Sequence, residues 1–169
     1  MPDAWIRQWG DPVLHERARL VESFDDLLRG QAARLARLLF SADGAGLAAT
    51  QVGVLRRMFA FRFSPEEPIE VVVNPLIVDA ADEYATFIEG CLSYNAVGVA
   101  VRRPAWVQVR GQDVHGEFRD WQCEGFAASL MQHEIDHLDG VLTLDRAEPD
   151  ERARAVRALT SITAGPLAA

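Results

Sequence analysis

The chain has 169 residues, 49% of them apolar, which suits one folded domain with a single core and excludes a disordered segment. Its 17 basic and 25 acidic residues give a formal charge of −8, which argues against a nucleic-acid surface, since phosphate binding wants a basic footprint. No apolar run could span a membrane, Met1–Arg7 lacks a signal-peptide pattern, and Cys91 and Cys123 make no disulfide framework, so a cytoplasmic location is expected.

In chain order, Asp11-Pro12-Val13-Leu14 reads as a short segment leading into a turn. From about Phe24 to Phe40 the pattern is helical, with Leu28, Leu35 and Leu39 on one stripe and Arg29, Arg34 and Arg37 facing away. Asp25 and Asp26 suit the start of that helix. The run Asp43-Gly44-Ala45-Gly46-Leu47-Ala48-Ala49-Thr50-Gln51-Val52-Gly53 has two glycines around Ala45 and then small residues. It permits close backbone approach to another group, or simply packs a tight turn against a sheet. No Lys-Ser/Thr follows the glycines, so it is not a phosphate loop.

The middle of the chain is strand-rich. Phe59, Phe61 and Phe63 alternate with Met58, Ala60 and Arg62, and Ile69 to Val73 is a β-branched run ended by Asn74-Pro75. Further short runs follow at Leu76 to Val78, Thr86 to Ile88, Val97 to Val101 and Trp106 to Arg110. Asp113 to Gly116 reads as a hairpin tip with a return strand near Glu117 to Gln122. A helix is expected from about Glu124 to Leu138, and a final charged helix within Asp145 to Arg157. The residues around Gly165-Pro166 are expected to fray. The order helix, strands, helix gives an α+β fold: one domain over residues 1–169, with mixed, mostly antiparallel sheets around a central helix and further helices near both ends.

That central helix carries the chemistry. Phe126, Leu130, His133 and His137 share one stripe, and Gly140 sits where a helix stops. His133 and His137 are four residues apart, so their rings lie on one face and can hold one divalent metal. Glu134 is placed to act on a water held by that metal without being a ligand. This His-Glu-x-x-His spacing points to metal-assisted hydrolysis, although two histidines on an amphipathic helix can also be ordinary core or surface residues.

Two histidines leave the metal short of a third protein ligand, a carboxylate or a thiolate. Cys91 stands in Ile88-Glu89-Gly90-Cys91-Leu92-Ser93, where Gly90 frees the backbone. Cys123 lies about three turns below the histidine pair at ~1.5 Å per residue, which is far for a shared ion. A lone cysteine is more often a small buried hydrophobe.

Three blocks occur in order: Gly44-Ala45-Gly46-Leu47-Ala48-Ala49-Thr50-Gln51, Glu89-Gly90-Cys91-Leu92-Ser93, and Gln132-His133-Glu134-Ile135-Asp136-His137-Leu138-Asp139-Gly140. Together they resemble the peptide deformylases, and the likeness extends to Gly10–Leu14, Asn74-Pro75 and Asp145-Arg146. The resemblance implies one metal ion on Cys91, His133 and His137, Fe(II) in the family with Zn, Ni or Co able to replace it. It implies Glu134 as general base, with the Gln51 amide and the Leu92 N–H stabilising an oxyanion. Gly44, Ala45 and Gly46 would lie along the substrate. Glu89 and Gly90 would border the same cleft, with Glu89 as much a structural support as a substrate contact. The implied substrates are N-formylated nascent peptides, the products formate and a free amino terminus. A transient ribosome contact is compatible with that role, and a monomer is expected.

The sequence departs from the family at two places that border the cleft. Ala45 replaces a branched apolar residue, and Tyr94-Asn95 follows Cys-Leu-Ser where an apolar residue and Pro are common. Substrate preference is therefore the open point, and another formylated amine is one alternative. A zinc metallopeptidase is another, but its third ligand would lie downstream, where only Asp145, Glu148, Asp150 and Glu151 are available. A non-enzymatic binding protein of the same fold would be expected to have lost the base or a ligand, and none is missing.

Overall fold

Four helices and seven strands carry the chain in a computed structural model that describes residues 5–94 and 97–163. Asn95 and the Gly165-Pro166 tail lie outside the described residues. In order they are α1 (Asp26–Ser41), β1 (Gly46–Ala48), β2 (Met58–Phe61), β3 (Glu70–Ala80), β4 (Tyr84–Glu89), β5 (Val99–Pro104), β6 (Trp106–Gln112), β7 (Phe118–Glu124), α2 (Gly125–Leu138), α3 (Thr143–Arg146) and α4 (Pro149–Thr163). Five strands form one sheet in the order β1-β2-β3-β6-β7, and β4 pairs with β5 in a second; every ladder is antiparallel. The α+β expectation holds, with α2 at the centre.

Strand β2 shows how the sheet comes to lie between two helices. Side chains alternate across a strand. Phe59 and Phe61 therefore turn to α2, packing with Leu130, Met131, Ile135 and Leu138, while Met58 and Ala60 turn to α1, packing with Leu28, Leu35 and Leu39. All four β2 residues are buried. The Leu28, Leu35 and Leu39 stripe is the buried face of α1, and Asp25 caps that helix by accepting the Leu28 N–H at 2.9 Å. A third cluster joins β5 to α4 through Val99, Val101, Ala155 and Leu159, and it includes Cys91 and Tyr94.

Several expectations needed correction. The runs Ile69 to Val73 and Leu76 to Val78 are one strand, β3, which continues through Asn74-Pro75 with a register shift against β6 between Val73 and Leu76. Asn74 takes a left-handed backbone (φ 51°) and its side chain is satisfied at both ends by Val21, accepting the N–H and donating to the carbonyl, each at 2.8 Å. Inside a central strand such as β3, a bulge is where a sheet tolerates a residue that cannot donate. The small-residue run is more than a turn: Gly46–Ala48 is an edge strand and Ala49–Val52 a 3-10 helix. The charged C-terminal stretch splits into α3 and α4. Among the described residues no helix is long and apolar enough to cross a membrane.

Candidate active site

Helix α2 is buried continuously from Ala128 to Leu138. A helix enclosed on all sides normally reads as apolar throughout, yet this one carries Gln132, His133, Glu134, Asp136 and His137 into the interior. Buried polar groups need partners, and most of these find them on the two-stranded sheet. Glu89 at the end of β4 places Oε2 2.9 Å from His133 Nδ1, accepts from Ser129 Oγ at 2.7 Å, and receives Arg103 Nε and Nη2 at 2.5 and 3.0 Å. Arg103 continues to Asp136 Oδ2 at 2.8 Å, and Arg146 of α3 closes on both Asp136 oxygens at 2.6 and 3.1 Å.

This network fixes charges. Burial alone would raise Glu89, but hydrogen bonds from His133 and Arg103 outweigh it and hold the carboxyl at about 2. Burial pushes Glu134 up to about 7. Burial and the neighbouring His133 drive His137 well below its ordinary value, keeping its ring neutral.

Cys91 Sγ and the ring nitrogens of His133 and His137 form one buried group with donor atoms within 4.8 Å of one another, and the sulfur lies 3.2 Å from His137 Nε2. With Nδ1 of His133 turned to Glu89, its Nε2 is left for the cluster. Metal–sulfur and metal–nitrogen bonds of about 2.3 and 2.0 Å need donors at such separations. One thiolate and two imidazoles suit zinc or a divalent iron, nickel or cobalt ion. Two polar atoms in this part of the interior, Glu134 Oε2 and His137 Nδ1, have no hydrogen-bond partner among the described residues. The residues fit a metal ion.

A cavity of about 380 Å³ opens beside the cluster. It is lined by Gly44, Ala45, Gly46, Gln51, Glu89, Gly90, Cys91, Leu92, His133 and Glu134; His137 sits deeper and is 1% exposed, and Tyr94, expected at the border of the cleft, is instead buried in the core cluster with Val99 and Val101. The apolar walls are Phe87, Ile88, Phe126 and Leu130. Gly46 is pressed against Glu134: a Cβ there would collide with its carboxylate and stand 2.8 Å from Leu130 Cδ1. Gln51 accepts the Ala48 N–H at 2.8 Å through Oε1, which directs its amide N–H to Ser93 Oγ at 3.0 Å and the Cys91 sulfur at 3.5 Å. Cys123 lies in β7 within the other core cluster and burial alone raises its thiol to about 11, the state of an inert packed cysteine.

The structure refines one assignment and adds four residues. Both Glu89 oxygens are engaged by Arg103, Ser129 and His133, so this carboxylate braces His133 rather than waiting for substrate. Arg103, Ser129, Asp136 and Arg146 were not singled out for the site. The one available signal was Arg103 itself, an arginine in a strand-forming run whose apolar neighbours mark the buried face.

The family model for polypeptide deformylase matches residues 3–153. The chain belongs to the polypeptide deformylase family. The Thermotoga neapolitana peptide deformylase is 42% identical over 147 residues, covering 87% of this chain and 88% of that one. The Novosphingobium aromaticivorans enzyme is 34% identical over 174 residues, 90% of this chain and 93% of its own. Among solved structures, the Legionella pneumophila peptide deformylase superposes with a TM-score of 0.87 at 34% identity, covering 94% of both chains. The Thermotoga maritima deformylase gives 0.80 at 40% identity, covering 85% and 97%. Family membership makes this chain a deformylase, a metal-dependent hydrolase of the N-formyl group at the start of new polypeptides.

Proposed function

We propose that the chain works as one catalytic domain in which Cys91, His133 and His137 hold a single divalent ion, with Fe(II) as the native metal and Zn, Ni or Co as replacements. The observation that carries this reading is the convergence of a buried Cys-His-His group and an unpartnered Glu134 oxygen beside one open cavity. Held by Cys91, His133 and His137, such an ion would supply Lewis-acid chemistry, making a water more acidic near neutral pH.

The remaining steps fall to the chain's own residues. The edge strand β1 pairs with β2 on one side only, so its outer edge at Gly46 is open to align an extended peptide by strand addition. Phe87, Ile88, Phe126 and Leu130 enclose the first side chain of that peptide, and the unbranched methionine side chain suits such an apolar cavity. Glu134 accepts the water's proton at its carboxylate and returns it to the departing amine. The Gln51 amide and the Leu92 N–H, both from residues that line the cavity, are the donors to the oxyanion that forms from the formyl oxygen; losing one such donor costs about 10²–10³ in rate. Glu89 and Gly90 shape the rim. Ala45 leaves more room than a branched residue would, and Tyr94, turned into the core, is not part of the cavity wall.

The partners in this reading are N-formylated nascent chains, met by a cytoplasmic monomer in transient contact with the ribosome. Glu134→Ala tests the assignment: it should take up one metal ion per chain like the parent and release formate from a short N-formyl-Met peptide more than about 10³-fold more slowly. A Glu134→Ala protein that keeps its turnover would overturn the general-base role.

A further inference from the structure

Arg62 directly follows β2, on the face that Met58 and Ala60 turn to α1, and it is 8% exposed. A guanidinium held in the interior has several donors to place and no acceptor of its own. Here they converge on the turn that leads from α1 into β1. Nε donates to the Gly44 carbonyl at 3.0 Å, Nη2 to Asp43 Oδ1 at 2.7 Å, and Nη1 reaches the Pro65 carbonyl at 3.4 Å. The Arg62 N–H donates to the Ala45 carbonyl at 2.9 Å, which carries the β1–β2 ladder one residue past Gly46. Arg62 itself does not line the cavity.

The turn it holds continues into the cavity lining. Gly44 is wedged in place: its N–H donates to the Leu39 carbonyl at 3.2 Å, and a Cβ there would stand 2.9 Å from both Leu39 Cδ1 and Leu92 Cδ1. Asp43, just before it, takes a left-handed backbone (φ 49°), which a residue other than glycine keeps only where its surroundings hold it. Arg62 supplies that hold by taking the Asp43 carboxylate and the Gly44 carbonyl with one planar fork. Successive residues of an antiparallel strand turn their backbone groups to opposite sides. The Ala45 carbonyl faces Arg62, so the N–H and carbonyl of Gly46 face the open edge, next to Glu134.

We propose that Arg62 is a positioning residue: by fixing the Asp43–Ala45 turn it holds the Gly46 backbone ready for an extended chain, and so favours formylated peptides over small formylated amines. The proposal rests on the reading of β1 as the edge that aligns substrate by strand addition. An edge held in one conformation before substrate arrives loses less freedom on binding it. That gain falls on the peptide backbone, while the formyl group itself is handled by Glu134, Gln51 and Leu92.

Steady-state deformylation by the Ni(II)-loaded protein tests this with two substrates, N-formyl-Met-Ala-Ser and N-formylmethioninamide, which share the reacting group and differ in backbone length. Arg62→Met keeps an unbranched apolar stem and removes the fork. It should raise KM for the tripeptide about tenfold, leave kcat within about twofold, and change kcat/KM for the amide by less than about twofold, the pattern of lost binding that ground state and transition state share. A fall of equal size for both substrates would make Arg62 a merely structural residue, and no change in either would show that the turn holds without it; each result overturns the proposal. Arg62→Lys keeps the buried charge but has no planar fork for two acceptors, so it should show the same selective loss to a smaller degree. The same two results overturn the proposal there, which keeps the test decisive if Arg62→Met does not fold. A parent with equal kcat/KM for tripeptide and amide would instead overturn the strand-addition reading beneath it.

Discussion

Glu89 Oε2 lies 2.9 Å from His133 Nδ1, and this contact decides which ring nitrogen His133 offers to the Cys-His-His group. With Nδ1 donating to a carboxylate held at about 2, the imidazole is fixed in one orientation, with Nε2 left for the group formed with Cys91 and His137.

Glu89→Gln keeps the shape of this contact and removes its charge. It should lower metal affinity by about 10–100-fold, the usual effect of losing such a partner. Competition for the ion against a chelator of known strength measures this. Affinity equal to the parent would show that His133 orients itself without help.

Arg103 joins Glu89 of β4 to Asp136 of α2 while only 4% exposed. Removing one member of a buried ion network leaves the other charges uncompensated, at a cost of about 3–5 kcal/mol. Arg146 still holds Asp136, so Arg103→Leu should fall near the lower end of that range in urea unfolding. A loss of the size seen for surface pairs, below about 1 kcal/mol, would mean that water replaces the guanidinium.

These two predictions rest on residues that the sequence hides. Glu89, Arg103, Asp136 and Arg146 come from four different elements, and each alone reads as an ordinary charged residue. The link depends on how β4 registers with β5, where Glu89 faces Val99, and Arg103, four residues along, lies on the same face. No local pattern encodes that pairing. The bulge in β3 was hidden for the same reason, since Asn74 is held by Val21, 53 residues away. What was legible depended on short-range periodicity. The Leu28, Leu35 and Leu39 stripe placed α1, and the four-residue spacing of His133 and His137 put both rings on one face of α2. The ordered blocks around Gln51 and Cys91 then pointed to two further stretches that line the same cavity, which spacing alone could not have done.

Cys91 and Cys123 are both buried, but only Cys91 lies with the histidines. Cys91→Ser should lose most of its bound metal on dialysis, and Cys123→Ser should keep it. Metal analysis of the two proteins after identical loading gives the answer. Equal metal content would remove Cys91 from the ligand set.

Glu151 ties α4 to the start of β5. Arg154, 2.7 Å away, is the main cause of its lowered pKa, and the Ala100 N–H at 2.8 Å adds to it, bringing the carboxyl from 4.5 to about 2. A carboxyl whose pKa is lower in the folded state stabilises that state when ionised. Its contribution is complete above pH 4.5 and is lost as pH falls towards 2. Glu151→Gln should therefore melt slightly below the parent at pH 7, the gap narrowing as the pH drops below 4.5. A gap that stays constant across that window would assign the difference to packing instead of charge.

The most direct test of the account is the product analysis of a metal-loaded protein given a short N-formyl-Met peptide. The chain should be loaded with Fe(II) or Ni(II) in the absence of oxygen, and the peptide followed by mass spectrometry together with formate. Formate and an otherwise intact peptide with a free amino terminus are the expected products. Cleavage at an internal peptide bond, or an unchanged peptide from protein that carries its full complement of metal, would contradict the assignment of this site to deformylation.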